Sequence, residues 1–302
     1  MKKDRCTAPI TIGVPVYNGG ALLDECLACL ARQTFGDFKV FILDNASSDA
    51  TGEIARAWAA RDSRFSYARQ THNVGMMPNF RDVLLAAESP WFMWRADDDL
   101  SADNYIERLY RLATATPACK LAVSTIVTCD LDGGRRKVSP PPDPRDFVTL
   151  RGQLRMLLNY QPSWFYGLWD SDAARSACLP VYACYPFANA SDHLTLYGPI
   201  IDGAVRGTTE TEFTQRVRRT AGIELPKIKY SVAQLLEMRR AFRRELRRIR
   251  SERNLSLPLR IVHAGFEPFY LRRRLPSLSK IARARLRELL GATKSSSAPT
   301  PA

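Results

Sequence analysis

The chain has 302 residues, 45% hydrophobic and 25% charged, which excludes a disordered protein and, with seven scattered cysteines, a disulfide-built one. No apolar run reaches the roughly 18 residues of a membrane-crossing helix, and the start Met1-Lys2-Lys3-Asp4-Arg5 lacks the apolar core of an export signal, so a cytoplasmic location is expected. The net charge of +13 is lopsided: residues 1–225 hold 25 Lys and Arg against 26 Asp and Glu, residues 226–302 hold 19 against 5, and such a basic appendage points to an anionic surface or solute.

In chain order, residues 9–17 (PITIGVPVY) read as a first strand, and Leu22, Leu23, Cys26, Leu27 and Leu30 recur at helical spacing over 21–31. Cys26 and Cys29 form a C-x-x-C, but no second pair exists to complete a zinc site, and their place on an apolar helix face predicts buried packing. Residues 38–43 form a second strand that stops at Asp44-Asn45. Ser47, Ser48 and Asp49 then offer caps for a helix whose buried stripe is Ile54, Ala55, Trp58 and Ala59. A third strand at 65–69, a helix near 78–88 and an aromatic strand at 91–95 follow. This alternation predicts an α/β fold with a mainly parallel sheet flanked by helices and ligands at the strands' carboxyl ends.

Both Asp44-Asn45 and Asp97-Asp98-Asp99 fall at such ends. Further on come a helix at about 103–115, a strand at 121–129, an irregular loop over 132–146 with four prolines, and helices at 151–159 and 170–178 around a strand-like 163–169. Asp192 opens another helix. From Ser231, which forms a capping box with Gln234, Leu235, Met238, Phe242, Leu246 and Ile249 repeat at three and four residues with arginine on the other face. The tail 294–302 is expected to be disordered.

Three adjacent carboxylates repel one another, and a fold tolerates them best when exposed or bound to a cation. Hard divalent ions such as Mn²⁺ or Mg²⁺ take such oxygens and share them with substrate phosphates. Asp97–Asp99 alone also reads as a solvated turn and helix cap.

The triplet does not stand alone. Residues 11–18 (TIGVPVYN), Gln33-Thr34-Phe35, 43–51 (LDNASSDAT) and Asn73-Val74-Gly75 precede it in that order. With Trp94-Arg95-Ala96-Asp97-Asp98-Asp99-Leu100 they resemble the family 2 glycosyltransferases of the GT-A fold, clearly over about 9–115, more weakly through 225 and not beyond. The resemblance implies a nucleotide diphosphate-sugar donor, with Pro15, Tyr17 and Asn18 lining the nucleotide pocket, Asp44 accepting from a base N–H unless it only caps the next helix, and Asn73 and Asp97 nearby. Asp98 would hold the ribose or assist the metal, and Asp99 would bind Mn²⁺ or Mg²⁺ directly. Asp97 sits where relatives vary.

Inverting transfer also needs a base for the acceptor hydroxyl. The resemblance places it at Ser191-Asp192-His193, with Asp192 as base or helix cap, and His193 as a second base, a metal ligand or a surface residue. Arg216 and Arg218 are candidates for leaving-group stabilisation. Gln215-Arg216-Val217-Arg218-Arg219 is similar to the Q-x-x-R-W element of processive synthases, but Arg219 replaces the tryptophan, so one sugar per encounter is expected. Trp169, in Tyr166-Gly167-Leu168-Trp169, would face the acceptor or belong to a core strand.

The domain reading is a catalytic unit over 1–225, a basic helical region over 226–293 and the tail. Over 231–274 the basic face and the apolar Leu257–Leu271 fit an anionic membrane contact at the inner face of the cell membrane, suiting a lipid-linked or glycan acceptor. Simple packing on the body, or pairing of subunits in a homo-oligomer, fits equally. A nucleic-acid-binding protein is the rival class, though the segment has no recognised motif; an inactive scaffold of the same fold is another. A nucleotidyltransferase would need a glycine-rich basic loop that residues 9–20 lack. Cell-surface polysaccharide or lipopolysaccharide assembly is the setting the resemblance implies.

Overall fold

The computed structural model describes residues 8–131, 134–146, 149–217 and 230–277, with 279, 281–283 and 286. Strand β1 (Ile10–Val16) is followed by helix α1 (Gly20–Ala31), β2 (Phe38–Asp44) by α2 (Thr51–Arg61), and β3 (Phe65–Arg69) by α3 (Met76–Leu85). Next, β4 (Trp91–Trp94) runs through the acidic triplet to the short β5 (Leu100–Ser101) and α4 (Tyr105–Ala115). Then follow β6 (Leu121–Asp130), β7 (Arg136–Ser139), α5 (Leu150–Asn159), β8 (Leu168–Asp170), α6 (Ser171–Cys184) and α7 (Ser191–Ile201). The last elements are β9 (Val205–Val217), α8 (Val232–Ser251) and α9 (Leu257–Arg274).

The described strands form one nine-stranded sheet in the order β3-β2-β1-β4-β8-β6-β9-β5, with β7 also paired to β6. β3, β2, β1 and β4 are mutually parallel, as are β6 and β9, while β8, β7 and β5 pair antiparallel. The expected α/β architecture is therefore present. Every residue of β1 is buried, because strands flank it on both edges and its neighbours in the core include α1 and α3. The chain moves outward from β1 to β3 and then returns to β1's other edge as β4. That reversal puts the carboxyl ends of β1 and β4 side by side, where open parallel sheets bind ligands.

Several local expectations change. The loop expected over 132–146 contains β7, whose Arg136–Ser139 pair with β6, and the proline run starts only after it. Residues 162–166 form a short 3-10 helix, leaving only 168–170 as strand, because Pro162 begins a tight turn. β9 was not anticipated. Its sequence, VRGTTETEFTQRV, lacks an apolar run, and the strand is held by a ten-residue parallel register with β6, shifted between Ser124 and Thr125.

Helix α8 starts where expected, with Ser231 and Gln234 forming a complete capping box. It does not stand apart: Met238, Phe242, Leu246 and Ile249 join the same hydrophobic core as β1 and β4, and α9 adds Tyr270 and Leu271. Arg253 reaches from the end of α8 to Asp202 at 2.9 Å, and Gly198 leaves the room for its guanidinium. Packing of the basic helices on the body is thus part of the fold, and removing them would strip the core. Phe242→Ala should accordingly cost about 3–5 kcal/mol, read as a lowered midpoint in denaturant unfolding. A loss below about 1 kcal/mol would mean that α8 is only loosely docked. Among the described residues, no helix is long and apolar enough to cross a membrane.

Candidate active site

At the end of β1 the chain turns through Tyr17, which is exposed, and Asn18, whose φ of 52° is left-handed. The Asn18 backbone N–H donates to Ser47 Oγ at 2.9 Å, and Asn18 Oδ1 accepts from the Ser48 N–H at 2.9 Å. The loops after β1 and β2 are therefore stitched together. Among the described residues the non-glycine left-handed positions are Asn18, Ala46 and Ala190, all in loops next to the candidate site residues. Such backbone costs about 1–3 kcal/mol per residue and persists where the surroundings enforce it. Pro15, expected to line a pocket, is instead enclosed within the sheet, where it pairs with Leu43.

Asp44 is fully buried and well supplied with donors. It accepts from the Ser47 N–H at 2.8 Å, the Tyr67 hydroxyl at 3.0 Å and Arg69 at 2.6 Å. Burial pushes its pKa up, but the Ser47 and Tyr67 hydrogen bonds and the Arg69 charge outweigh burial and hold it below the usual value. The β2–β3 register places Asp44 directly opposite Arg69, a pairing that reading single strands cannot supply. Asp44 thus braces the turn to Ser47, while Ser47 and Ser48 serve the β1 loop rather than capping α2; Asp49 accepts from the Thr51 N–H at 3.0 Å. Asn73 Oδ1 accepts from Asn45 at 2.9 Å and from the Gly75 N–H at 2.8 Å, so it knits the loop before α3 to the end of β2.

The acidic turn is held from three sides. The Cys26 thiol donates to Ala96 O at 3.3 Å and Cys29 to Ser101 O at 3.2 Å, so the buried C-x-x-C packs as expected and fastens α1 to the turn. A side chain at Gly19 would meet Asp97 Oδ2 at 2.7 Å, which brings Asp97 against the β1 loop. From β9, the Arg216 N–H donates to Asp99 Oδ1 at 2.8 Å, and its side chain contacts Asp98 O and Glu25. Beneath lies Arg95, with zero exposure: it donates to Ser101 Oγ at 3.0 Å, stacks over Phe213 and Tyr105, and leaves Nε and one terminal nitrogen without a hydrogen-bond partner among the described residues. Arg218 lies outside the described residues.

Asp99 is buried, and burial together with the charge of Asp98 pushes its carboxyl up to about 8, against the opposing pull of Arg216 and Arg95. Two close carboxylates, one of them desolvated, form an oxygen donor set that fits Mn²⁺ or Mg²⁺. The described residues contain no cluster of three or more metal-binding side chains, so remaining coordination would fall to substrate oxygens and water. Because a proton must leave Asp99 before a cation can replace it, the rise in melting temperature caused by Mn²⁺ should grow between about pH 6 and about pH 9. A rise that is equal across this range would exclude Asp99 as a ligand of the cation.

Asp192 lies in the first turn of α7, while the N-cap position belongs to Ala190. The cap reading of Asp192 therefore fails. Its Oδ1 accepts the His193 N–H at 2.8 Å, and burial raises its pKa despite that bond and the charge of Arg274. The net shift is opposite to the lowering expected from a helix N-terminus, because desolvation outweighs it. His193 turns the other way: Nδ1 meets the Tyr160 hydroxyl at 2.7 Å, and Tyr270 on α9 donates to its carbonyl at 2.9 Å. Burial and Arg274 depress the imidazole pKa to about 3, leaving it neutral and facing α5 and α9.

Asp192 and Ser191 share a small cavity, about 150 Å³, with Met77, Phe80, Tyr166 and Tyr182. Tyr166 lies within electrostatic range of Asp99, Asp98, Asp192 and Asp97, so the acidic turn and Asp192 are both near this ring. The sequence named Tyr166 only within a run, and nothing local in Met77, Phe80 or Tyr182 marks them. Trp169 is not available to an acceptor: it has zero exposure and donates to Phe165 O at 2.8 Å, because β8 is an interior strand.

The solved structures that resemble this fold include TarS of S. aureus in complex with UDP-GlcNAc, with a TM-score of 0.59 and 16% identity over 78% of this chain and 66% of that one. Another is the mannosyltransferase PcManGT of Pyrobaculum calidifontis in complex with GDP-Man and Mn²⁺, with a TM-score of 0.52 and 16% identity over 95% and 79%. In sequence, the glycosyltransferase GlyG of Streptococcus pneumoniae is 29% identical over 102 residues, which is 34% of each chain. The uncharacterized glycosyltransferase EpsJ of Bacillus subtilis is 30% identical over 100 residues, 33% of this chain and 29% of its own. The matched stretch thus spans about a third of these curated relatives. The model of the family described as Glycosyl transferase family 2 matches residues 11–166, from the first strand through the acidic turn to Tyr166. That match covers just over half of the chain, and the chain belongs to glycosyl transferase family 2.

Proposed function

We propose that this protein is a metal-dependent, inverting glycosyltransferase that moves one sugar per encounter from a nucleotide diphosphate-sugar to an acceptor hydroxyl. What supports this reading is that Asp98 and Asp99 at the acidic turn and Asp192 at the start of α7 all lie near Tyr166, which shares a cavity with Asp192. Carboxylates able to hold a cation for a diphosphate and a base for a hydroxyl then lie near one another. Tyr17 and Asn18 are assigned to the nucleotide, with Asp44 and Asn73 bracing the loops that present them. Asp98 and Asp99 would hold Mn²⁺ or Mg²⁺, which when bound would offset the negative charge of the diphosphate. Asp192 accepts the acceptor's O–H proton as that oxygen bonds to the anomeric carbon. The bond from that carbon to the diphosphate oxygen breaks on the opposite face, and its electron pair leaves with the diphosphate. Arg216, already at the acidic turn, is placed to stabilise that departing charge.

The acceptor is proposed to be a glycan or lipid-linked sugar in cell-surface polysaccharide or lipopolysaccharide assembly. The region 231–274 is proposed to touch the anionic inner face of the cell membrane. The catalytic unit is taken as 1–225 and the basic helical region as 226–293. A thermal-shift screen of nucleotide diphosphates and nucleotide sugars, with and without Mn²⁺, tests the reading. A specific, Mn²⁺-enhanced rise is expected with one base; no response to any nucleotide would overturn it.

A further inference from the structure

Helix α9 divides its faces in an unusual way. Tyr270, Leu271, His263 and Glu267 point inward, the last bonded to Arg250 and lying 2.8 Å from Arg243. The opposite face carries Leu257, Ile261 and Phe269, whose exposures of 71%, 63% and 65% are among the highest of the large apolar residues in the described chain. At spacings of four and eight residues, these fall on one stripe of the helix, with exposed Ala264 and Gly265 between them. A stripe of this kind on a free monomer calls for a partner.

Charge says which partner. Arg260, Arg272 and Arg273 are exposed along or beyond the same helix. Beside it, Arg239, Arg240, Arg243, Arg244 and Arg247 of α8 line an open groove of about 500 Å³ that ends on Leu271 of α9. From the inner side of α9, Glu267 binds Arg243 and Leu271 closes the groove, so the arginine row runs alongside this helix. An apolar stripe flanked by a dense arginine field fits an anionic bilayer, with side chains entering the acyl boundary and guanidinium groups reaching lipid phosphates. α9 is about 27 Å long at helical rise, and among the described residues no helix can cross a membrane, so it would lie in the interface plane.

We infer that the outer face of α9, with the arginine row of α8, is an interfacial docking surface for an anionic lipid bilayer. This rests on the membrane contact proposed for 231–274 and assigns it to one face and one lipid chemistry. The same face would set the orientation of the cleft, because Tyr270 on its inner side holds the His193 carbonyl next to Asp192.

The test is co-sedimentation of the full chain with phosphatidylglycerol-containing vesicles and with pure phosphatidylcholine vesicles at low and high salt. Salt-sensitive binding to the anionic vesicles alone is expected. Ile261→Glu combined with Phe269→Glu should weaken it at least about tenfold, since both apolar contacts are lost. Arg240→Gln combined with Arg244→Gln should weaken it about 25-fold at low salt, roughly fivefold for each arginine. All four sites are exposed, so melting temperatures should match the parent, which separates a docking defect from misfolding. If the parent binds anionic vesicles and the Ile261/Phe269 variant binds as well, this face is wrong while the membrane contact stands. If the parent binds no vesicle, both fall. A parent dimer that this variant converts to monomer, without vesicle binding, would make the stripe a homodimer interface instead.

Discussion

Asp99→Asn is expected to lower sugar transfer about 10³-fold while leaving the protein folded, because a carboxylate that would hold the cation offsetting the diphosphate charge is removed. Asn is nearly isosteric and keeps the oxygen that accepts from the Arg216 N–H, so β9 should remain fastened to the acidic turn. Loss of activity then reports on charge rather than on a displaced strand. The sign of the stability change gives a second reading. Asp99 has a raised pKa in the folded state, so its ionisation opposes folding, and that cost sets in above the usual carboxylate pKa and is complete only above about 8. At alkaline pH and without metal, the Asn variant should therefore melt no lower than the parent. With Mn²⁺ added, the parent should gain stability and the variant should not. Turnover at the parent's rate in this variant would sink the metal site at Asp98–Asp99.

The parts of the molecule that were legible beforehand are those governed by local pattern. The strand–helix alternation through β4, the buried C-x-x-C, the capping box at Ser231 and the start of α7 near Asp192 all follow from spacing of apolar residues or from caps. What escaped depends on pairing. β9 is a strand because β6 offers it a ten-residue register, not because its threonines and glutamates advertise one. Its end delivers Arg216 to Asp99, a contact across 117 positions of sequence. Asp44 behaves likewise: its strand-end position was readable, but its three donors come from the turn and the neighbouring strand. Trp169 stays open between an acceptor face and a core strand in the sequence for a related reason, since an aromatic on a three-residue strand reads the same whether that strand is interior or at an edge; the structure gives the core strand.

Asp192→Asn should separate binding from chemistry. Donor affinity and Mn²⁺ response are expected to match the parent, while transfer falls about 10²–10⁴-fold, the usual contribution of a positioned base. Asn keeps an oxygen to accept the His193 N–H, so the first turn of α7 is preserved. The pH profile strengthens the test. Burial raises the Asp192 pKa, so the acid limb of the parent's transfer rate should lie above the range of an ordinary exposed carboxylate, with activity growing as the carboxyl ionises. That limb should vanish in the variant, whose residual rate no longer depends on this group. The neighbouring His193 cannot supply the same limb, because an imidazole depressed to about 3 is already neutral throughout and is turned toward Tyr160. If the variant loses donor binding but transfers normally once saturated, Asp192 shapes the cleft and takes no proton. The base would then have to be sought among other groups around Tyr166.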